Sequence, residues 1–345
     1  MILLRILLFP FSWLYYLITQ IRNRLYDRGL QPSVKFELPV ICVGNLTVGG
    51  TGKTPMIEHL IRLLQNRFKV ATLSRGYGRA TKGIRIAGPS ENATTIGDEP
   101  FQFYAKFGKR ITVAVGEERA LAIPTILQEC SDTQIILLDD GFQHRKVSPG
   151  FSILLTDYHR PFYNDFLLPS GRLRESRWGA ERADVIVVTK CPAHISEDRM
   201  IEIERSIRYY AKKPVFFTNI RYGDPTSFKN NAAPPTKQIV LVTGIGNSKP
   251  LETYAKENYT VIKHLAFNDH HTYTEGDIKT LINLKSTHPQ VSFLTTEKDK
   301  VKLDAPQFQQ MLKGLPLFYI PIEVDFIKAG KDFDEIVLNV IQRAK

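Results

Sequence analysis

A glycine-rich segment that carries a lysine and a hydroxyl lies at residues 43–55 (VGNLTVGGTGKTP). It follows apolar residues 39–43 and precedes a helical pattern that opens at Thr54. Backbone N–H groups converge in such a turn, and both the helix start and Lys53 add positive charge. This chemistry suits the phosphates of a nucleoside triphosphate. The predicted nucleotide-binding residues form one run: Thr47, Val48, Gly49, Gly50, Thr51, Gly52, Lys53 and Thr54.

The segment departs from the general phosphate-loop pattern at its first position, where Thr47 replaces glycine. The alternative is an ordinary turn between a strand and a helix. That alternative explains one or two glycines, but not three beside a lysine and a hydroxyl. Nucleotide binding is therefore the favoured interpretation.

Two adjacent carboxylates, Asp139 and Asp140, end the apolar run at residues 135–138. An acid at the end of a strand downstream of a phosphate loop is typical of a Walker B element, which helps to hold Mg2+. Neighbouring side chains on a strand point to opposite faces, so we expect one acid to serve the metal and the other to orient a neighbour. The alternative is a turn with solvated acids. The candidate Mg2+ ligands are Thr54, Asp139, Asp140 and Glu99.

A further carboxylate, Asp98, lies in the segment 97–100 (GDEP) before an aromatic helical stretch. It fits a helix N-cap, and it equally fits a base that takes the proton from an attacking hydroxyl. Residues 267–273 (FNDHHTY) end a later apolar strand with two histidines. No third ligand spacing supports zinc there. We expect either His270 or His271 to partner Asp98 across a cleft.

Glycine turns with arginines follow two of the predicted strands, at residues 74–79 (SRGYGR) and 168–177 (LPSGRLRESR). Guanidinium groups bind phosphate in a bidentate manner, although a solvated basic surface is the alternative for each of them. Residues 188–190 and 295–299 end strands with lysine, as base-reading loops of nucleotide-binding proteins also do. The candidates for substrate or phosphate binding are Arg75, Tyr77, Arg79, Arg119, His144, Arg172, Arg174 and Glu175.

The chain is basic, with 345 residues and a net charge of +11, which predicts attraction to an anionic partner. Candidates are nucleic acid, a phosphorylated substrate and an anionic membrane surface. No lysine-rich tail or RNA-binding signature is present in the sequence, so we expect no nucleic-acid partner, and no obligate protein partner is evident. Three scattered cysteines form neither a disulfide framework nor a zinc spacing, which suits a reducing cytosol.

An uncharged apolar stretch at residues 6–21 is followed by three arginines at positions 22, 24 and 28. Its aromatic residues include Trp13, Tyr15 and Tyr16, which are favoured at a membrane interface. No small-residue cleavage site follows, so a signal peptide is disfavoured. We expect a membrane anchor, either interfacial or barely spanning, and a helix packed on the protein's own core is the alternative.

Apolar strands alternate with helical patterns along most of the chain, which predicts an α/β fold of the P-loop NTPase type. We expect a doubly wound, mostly parallel sheet, a second and smaller α/β domain, and an N-terminal membrane-associated helix. The predicted boundaries are 1–30 for the anchoring helix, 31–225 for the P-loop core, 226–236 for a linker and 237–345 for the smaller domain that closes the cleft.

Taken together, the polar segments resemble the tetraacyldisaccharide 4'-kinase family, the lipid A 4'-kinases of Gram-negative bacteria. The resemblance extends from the apolar N-terminus into the second domain. In that family threonine is usual at the position of Thr47. The segments that carry the resemblance are residues 43–55, 74–79, 97–100, 139–144, 168–175, 268–271 and 296–299.

The resemblance implies phosphorylation of the 4'-hydroxyl of a tetraacylated disaccharide 1-phosphate, a lipid A precursor, with ATP and Mg2+. It implies a location at the cytoplasmic face of the bacterial inner membrane, peripheral or anchored by the N-terminal helix. It further implies catalytic roles for Asp98 with His270, for Asp139 with Asp140, and for Lys53. The alternative is a membrane-associated nucleotide-driven switch or chaperone without a phosphoryl acceptor.

Overall fold

The computed structural model describes residues 2–229 and 234–343, which form two α/β lobes. The helices are α1 (Ile2–Asp27), α2 (Lys53–Leu64), α3 (Ala93–Ile96), α4 (Asp98–Phe107), α5 (Arg119–Glu129), α6 (Glu197–Arg208), α7 (Lys249–Asn258), α8 (Glu275–Thr287), α9 (Glu297–Leu303), α10 (Pro306–Gln309) and α11 (Gly330–Arg343). The strands are β1 (Val40–Asn45), β2 (Val70–Ser74), β3 (Arg85–Ile86), β4 (Thr112–Val115), β5 (Ile135–Asp139), β6 (Phe151–Asp157), β7 (Val185–Thr189), β8 (Val215–Tyr222), β9 (Thr226–Ser227), β10 (Gln238–Thr243), β11 (Thr260–Ala266), β12 (Ser292–Thr296), β13 (Leu317–Ile320) and β14 (Ile322–Phe326).

The first lobe is built on a nine-stranded sheet in the order β14-β8-β7-β6-β1-β5-β2-β4-β3. Its central strands are parallel, and only the edge strands β14 and β3 run antiparallel to their neighbours. The sheet contains the six apolar runs 40–43, 70–73, 112–115, 135–138, 153–155 and 185–188 of the sequence. Their continuous hydrophobicity arises because both faces of the sheet are buried.

Helices cover both faces of this sheet, as the doubly wound prediction requires. Alternate residues of β1 belong to opposite core clusters: Val40 and Cys42 pack with α5 and α6, whereas Ile41 and Val43 pack with α2, α4 and α11. The side-chain period of two on each strand therefore divides one apolar run between two cores.

The second lobe holds a five-stranded sheet in the order β11-β10-β12-β13-β9, parallel except for β9. The helix α8 packs on one face of this sheet and α7 on the other. The smaller α/β unit predicted from the second alternating series is therefore present.

The C-terminal boundary differs from the predicted one. Strand β13 belongs to the second sheet, but β14 follows after Pro321 and pairs with β8 of the first sheet. Phe333 and Val337 of α11 are then buried in the core under α2. The chain thus returns to the first lobe, because the apolar face of its last helix is complementary to that core. Sequence reading missed this pairing, since the contact is remote along the chain.

The predicted linker is also partly structured. Thr226 and Ser227 form β9, which pairs with β13 of the second sheet. The chain therefore crosses between the lobes twice, near Gly223 and at Pro321, and these residues are joined by a hydrogen bond of 2.9 Å from the Gly223 N–H to the Pro321 carbonyl.

The N-terminal helix α1 packs on the first lobe with one face only. Ser12 donates to the Leu167 carbonyl, and the Tyr15 hydroxyl donates to the Arg174 carbonyl at 2.8 Å. The opposite side exposes large apolar residues, including Leu7, Phe9, Phe11, Trp13, Leu14, Leu17, Ile18 and Ile21. No helix in the described ranges 2–229 and 234–343 is both long enough and apolar enough to cross a bilayer.

One buried ion cluster joins α2, α4 and the second lobe. The Lys106 ammonium on α4 lies 2.6 Å from Glu58 of α2 and 2.6 Å from Glu297 of α9. Glu58 also accepts a hydrogen bond of 2.9 Å from Gln102. Burial, and next the charge of Glu58, raise the pKa of Glu297, so the shared cation offsets the repulsion between two buried acids.

We expect Lys106→Met to destabilise the protein strongly, because it leaves two buried carboxylates without their shared cation. The expected loss is about 3 kcal/mol of unfolding free energy, measured by chemical denaturation. The control is Lys256→Met, which removes a solvent-exposed pair with Glu252 and should change stability little. Equal losses of unfolding free energy in the two variants would show that the buried cluster contributes no more stability than the exposed pair.

Candidate active site

The phosphate loop connects β1 to α2 at the carboxyl end of the parallel sheet. Gly52 is the residue before the helix and has a φ of 84°, in the left-handed region that favours glycine. The helix then begins at Lys53, so its free N–H groups point towards the loop. The Asn45 side chain, at the end of β1, donates to the Thr51 hydroxyl at 2.8 Å and so links the two ends of the loop.

The arginine-bearing segment 168–174 lies against the start of this loop. Thr47 and Leu173 form an antiparallel bridge, and the Val48 N–H donates to the Arg172 carbonyl at 2.8 Å. The Val48 amide is therefore engaged by protein in this structure and is not free to donate to a phosphate. Nucleotide binding by the predicted run 47–54 stays a prediction.

A second contact holds the other side of the loop. The Thr189 hydroxyl at the end of β7 donates to the Thr51 carbonyl at 2.9 Å. Lys190 contacts the Gly50 carbonyl, and its ammonium lies 2.9 Å from Asp157. Residues 188–190 thus fix the loop backbone, and the strand-ending lysine was the only sequence signal for this.

Asp139 and Asp140 lie in different environments, because β5 ends at Asp139 and Asp140 lies just beyond the strand. Strand pairing sets Asp139 beside Val43, at the start of the loop. Asp140 has a φ of 51° and turns its carboxylate to Lys53 at 3.6 Å and to Arg174 at 3.0 Å. Burial opposes ionisation of Asp140, but the charges of Lys53 and Arg174 outweigh it and lower its pKa.

Asp139 is 3% exposed, and its Oδ1 has no hydrogen-bond partner within the described chain. Burial, and next the nearby charge of Glu99, raise the pKa of Asp139 to about 7. An orphaned carboxylate oxygen beside a phosphate loop is the group that a magnesium ion would satisfy.

The residues present fit Mg2+ held jointly with phosphate. Among the described residues, no three His, Cys, Asp or Glu side chains form a metal cage. Mg2+ usually takes one or two carboxylates together with phosphate oxygens and water, so a full cage is not required. Asp139 and Thr54 would supply such a partial set, whereas Asp140 is already paired with cations.

Asp98 is the first residue of α4, and Gly97 occupies the N-cap without a side-chain hydrogen bond. The capping interpretation of Asp98 is therefore wrong. Its Oδ2 instead lies 3.3 Å from His270 Nδ1 and 3.0 Å from the Lys302 ammonium, both of the second lobe. Burial alone would raise the pKa of Asp98, but the hydrogen bond with His270 and the charge of Lys302 lower it.

The two histidines have separate surroundings. His270 reaches Asp98, and its ring lies 5.4 Å from the ring of Tyr77. His271 stacks on Phe267 at 4.3 Å and lies 3.1 Å from Asp277, in the N-cap region of α8. Of these two histidines, His270 is the one in contact with Asp98.

The predicted substrate-binding residues divide into four groups. Arg75, Tyr77 and Arg172 are exposed. Arg79 and Glu175 instead hold the protein together: Arg79 pairs with Glu117 at 2.6 Å, and Glu175 pairs with Arg182 at 2.8 Å. The sequence could not separate these roles, because the partners of Arg79 and Glu175 lie elsewhere in the chain.

Arg174 pairs with Asp140 at 3.0 Å. Arg119 and His144 line a basic cavity of about 350 Å³. Arg119, at the start of α5, is 2% exposed, and its Nε and Nη2 have no hydrogen-bond partner within the described residues. Burial, and next the charge of Arg119, lower the pKa of His144 to about 4, so His144 is neutral there. The cavity is lined by Arg22, Tyr26, Glu118, Arg119, Gln143, His144, Arg145 and Lys146.

Residues 295–299 form the end of β12 and the start of α9. Thr296 caps α9 by accepting from the Asp299 N–H, and Asp299 accepts from the Gly244 N–H at 2.9 Å. The segment thus starts the helix that carries Lys298 and Lys302 towards Asp98. Sequence reasoning missed Lys302, because a lysine on a helix has no distinguishing local signal.

A phosphate loop set between a parallel strand and a helix, with acids at the end of the adjoining strand, is the arrangement of P-loop nucleotide-binding α/β proteins. A family model for tetraacyldisaccharide-1-P 4'-kinase matches residues 4–342. The chain therefore belongs to the tetraacyldisaccharide-1-P 4'-kinase family.

Relatives and a solved structure agree with this assignment. The chain is 44% identical to the tetraacyldisaccharide 4'-kinase of Flavobacterium johnsoniae, over 99% of this chain and 98% of that protein. It is 46% identical to the Flavobacterium psychrophilum kinase, over 98% and 97%. The crystal structure of Aquifex aeolicus LpxK in complex with ATP matches with a TM-score of 0.77 and 29% identity, covering 98% of this chain and 99% of that chain.

The buried state of Asp139 predicts a pH-dependent gain in stability for Asp139→Asn without metal or nucleotide. The folded pKa is about 7 and the unfolded value is 3.8, so the folded state binds the proton more tightly. This carboxyl therefore opposes folding increasingly as pH rises from 3.8 to 7, and fully above 7. We expect the variant to melt above wild type at about pH 8.5 and much less so at about pH 5.5.

The control for this prediction is Asp140→Asn, for which we expect a change in melting temperature of the opposite sign. The pKa of Asp140 is lowered by its two cations, so its removal should lower the melting temperature at the higher pH. A melting difference for Asp139→Asn that is the same at both pH values would contradict the assignment of a buried, unpaired carboxylate.

Proposed function

We propose that this chain transfers the γ-phosphate of ATP to the 4'-hydroxyl of a tetraacylated disaccharide 1-phosphate at a membrane surface. Membership of the kinase family gives the reaction class. The observation that carries the mechanism is Asp98: a carboxylate of the nucleotide-binding lobe is held by His270 and Lys302 of the other lobe.

Nucleotide binding falls to the loop amides and Lys53. Lys53 lies 3.6 Å from Asp140 and is 14% exposed, so its ammonium is already oriented at the mouth of the loop. Arg174 lies beside the same carboxylate and adds positive charge where the phosphates would bind. Asp139 and Thr54 would hold Mg2+, which neutralises charge on the β- and γ-phosphates when bound.

The acceptor hydroxyl is activated by Asp98. Both second-lobe contacts fall on Oδ2, which leaves Oδ1 as the oxygen that accepts the hydroxyl proton. The sugar oxygen forms a bond to the γ-phosphorus while the bond from that phosphorus to the β,γ-bridging oxygen breaks, so ADP leaves. A carboxylate of low pKa suits a loose transition state, in which the hydroxyl proton moves late.

We expect Asp98→Asn to lower kcat by roughly 10²–10⁴-fold while the affinity for ATP is retained, because the substitution removes the base but not the phosphate loop. Steady-state kinetics with titration of ATP binding would measure both quantities. A variant with wild-type kcat would remove Asp98 from the mechanism.

The matched pair His270→Ala and His271→Ala tests the choice of histidine. The first should lower kcat without a comparable loss of stability. The second should mainly lower the melting temperature, since His271 stacks on Phe267 and bonds Asp277. The reverse pattern would assign the catalytic role to His271.

The basic cavity supports recognition of the substrate's own phosphate. Arg119 is buried, and two of its guanidinium nitrogens have no hydrogen-bond partner among the described residues, which is costly unless an anion occupies the site. An apolar groove lined by Ile18, Ile21 and Leu25 of α1 adjoins it and shares Arg22 and Tyr26 with it. We infer that the anionic headgroup binds in the cavity while acyl chains follow the groove.

The two-sided helix α1 supports peripheral membrane association at the cytoplasmic face of the inner membrane. Its polar residues Ser12 and Tyr15 hold the active-site segment 167–174, while its apolar residues face outward. Aromatic and aliphatic side chains next to arginines are the composition that enters an anionic interface. The helix would therefore link the membrane to the arginine segment of the site.

We expect the double substitution Trp13→Glu and Leu17→Glu to weaken binding to vesicles that contain anionic phospholipid, because it places charge on the exposed face of α1. ATP affinity should be unchanged, since the inner face of α1 is untouched. Vesicle co-sedimentation measures the first quantity and nucleotide titration the second. Unchanged sedimentation would contradict the membrane role of this face.

The alternative function is a switch that hydrolyses nucleotide without an acceptor. A kinase releases ADP only when the lipid acceptor is supplied, whereas a switch releases ADP and phosphate at the same rate without it. Measurement of ADP release with and without the disaccharide separates the two. The contacts of Asp98 with His270 and Lys302 of the second lobe favour the kinase.

A further inference from the structure

The helix α9 of the second lobe presents two lysines, one turn apart, towards Asp98 of the first lobe. Lys298 and Lys302 are spaced i and i+4, so they share one face of the helix. The Lys302 ammonium is 3.0 Å from Asp98 Oδ2, and the Lys298 ammonium is 3.1 Å from His270 Nε2. Lys302 is thus closer to the carboxylate than His270 is, at 3.3 Å.

The contacts define the protonation of the histidine. Lys298 donates to His270 Nε2, so Nδ1 carries the ring proton and donates to Asp98. Two N–H donors, one from His270 and one from Lys302, therefore meet at Oδ2. No hydrogen bond to Asp98 Oδ1 is present among the residues that the structure describes, so this oxygen is left for a ligand.

Lys302 is held in place by its surroundings. Its side chain is 9% exposed, and its ammonium also donates to the His271 carbonyl at 3.2 Å. The helix beneath it is fixed at its start, because the fully buried Asp299 bonds the Gly244 N–H and the Thr296 hydroxyl. A lysine with two partners on a fixed helix has little freedom to leave the carboxylate.

A purely structural role for this pair is the competing interpretation. Buried ion pairs contribute little net stability, because desolvation offsets their attraction. The lobes are already joined by the Lys106 cluster and by two chain crossings. The pair adds something that those contacts do not: it fixes which oxygen of Asp98 is free.

We propose that Lys302 is a positioning residue for phosphoryl transfer, which with His270 holds Oδ2 of Asp98 so that Oδ1 faces the acceptor hydroxyl. This inference rests on the proposed role of Asp98 as the base. Lys302 itself does not touch the reacting atoms. Its effect is to restrict the rotation of the carboxylate, and misplacement of a reacting group by about 1 Å can cost roughly 10²-fold in rate.

The test compares Lys302→Met with Lys302→Arg in the full-length kinase, supplied with Mg2+, ATP and the tetraacylated disaccharide 1-phosphate in detergent micelles. We expect Lys302→Met to lower kcat by roughly 10- to 100-fold, with the KM for ATP within about twofold of wild type. Lys302→Arg should recover a large part of kcat, because guanidinium can also donate to Oδ2.

A double-mutant cycle with Asp98→Asn gives the readout that a structural role would not produce. In the Asp98→Asn background, Lys302→Met should lower kcat by less than about twofold, because the group it positions is already absent. The matched control is Lys300→Met on the same helix. Lys300 pairs with Asp304 at 3.1 Å and should leave kcat unchanged.

Two results would overturn the proposal: wild-type kcat in Lys302→Met, or a full and additive loss on top of Asp98→Asn. If Lys302→Met fails to fold, Lys302→Arg and its cycle with Asp98→Asn decide instead, and an additive loss there overturns the proposal as well. The two hypotheses fail separately. Wild-type kcat in Asp98→Asn refutes the base, whereas a slow Asp98→Asn beside an unaffected Lys302→Met refutes only the role of Lys302.

Discussion

The contact between one carboxylate and two donors across the cleft is the constraint on which the site depends. Asp98 begins α4 on the nucleotide lobe, and His270 and Lys302 reach it from the second lobe. In the proposed mechanism, neither lobe alone presents an oriented base to an acceptor. The chain crosses between the lobes twice, and the Lys106 cluster ties α4 to both α2 and α9. Buried contacts therefore connect the helix that follows the phosphate loop to the helix that carries Asp98.

Charge pairing also organises the part of the site around the phosphate loop. Asp140 is neutralised by Lys53 and Arg174, whereas Asp139, next to it, is buried with an oxygen unpartnered. Two adjacent acids thus differ in chemistry because Asp139 ends β5 inside the sheet, whereas Asp140 lies just beyond the strand and turns away with a φ of 51°. The segment 168–174 binds the loop on one side and the helix α1 on the other. Contact with a membrane would therefore act close to the phosphates.

Local sequence predicted most of the first lobe, because a phosphate loop and continuous apolar strands have strong local signals. It also predicted that His270 or His271 would meet Asp98, although spacing could not choose between them. Remote contacts were beyond its reach: β14 pairs with β8, α11 fills the first core, and Lys302 reaches Asp98. Arg79 and Glu175 looked like ligand-binding residues and are instead held in internal ion pairs. A charged residue has no sequence mark that distinguishes these two roles.

In the proposed mechanism, Asp98 is held by the second lobe and activates the sugar hydroxyl, which then attacks the γ-phosphate of ATP on the phosphate loop. The most direct measurement is mass spectrometry of the lipid after a single turnover with Mg2+ and ATP whose γ-phosphate carries an isotopic label. The account predicts that the disaccharide gains one labelled phosphate for each ADP formed, and that fragmentation locates it on the sugar that bears the 4'-hydroxyl. Formation of ADP with free labelled phosphate and an unchanged lipid would contradict it.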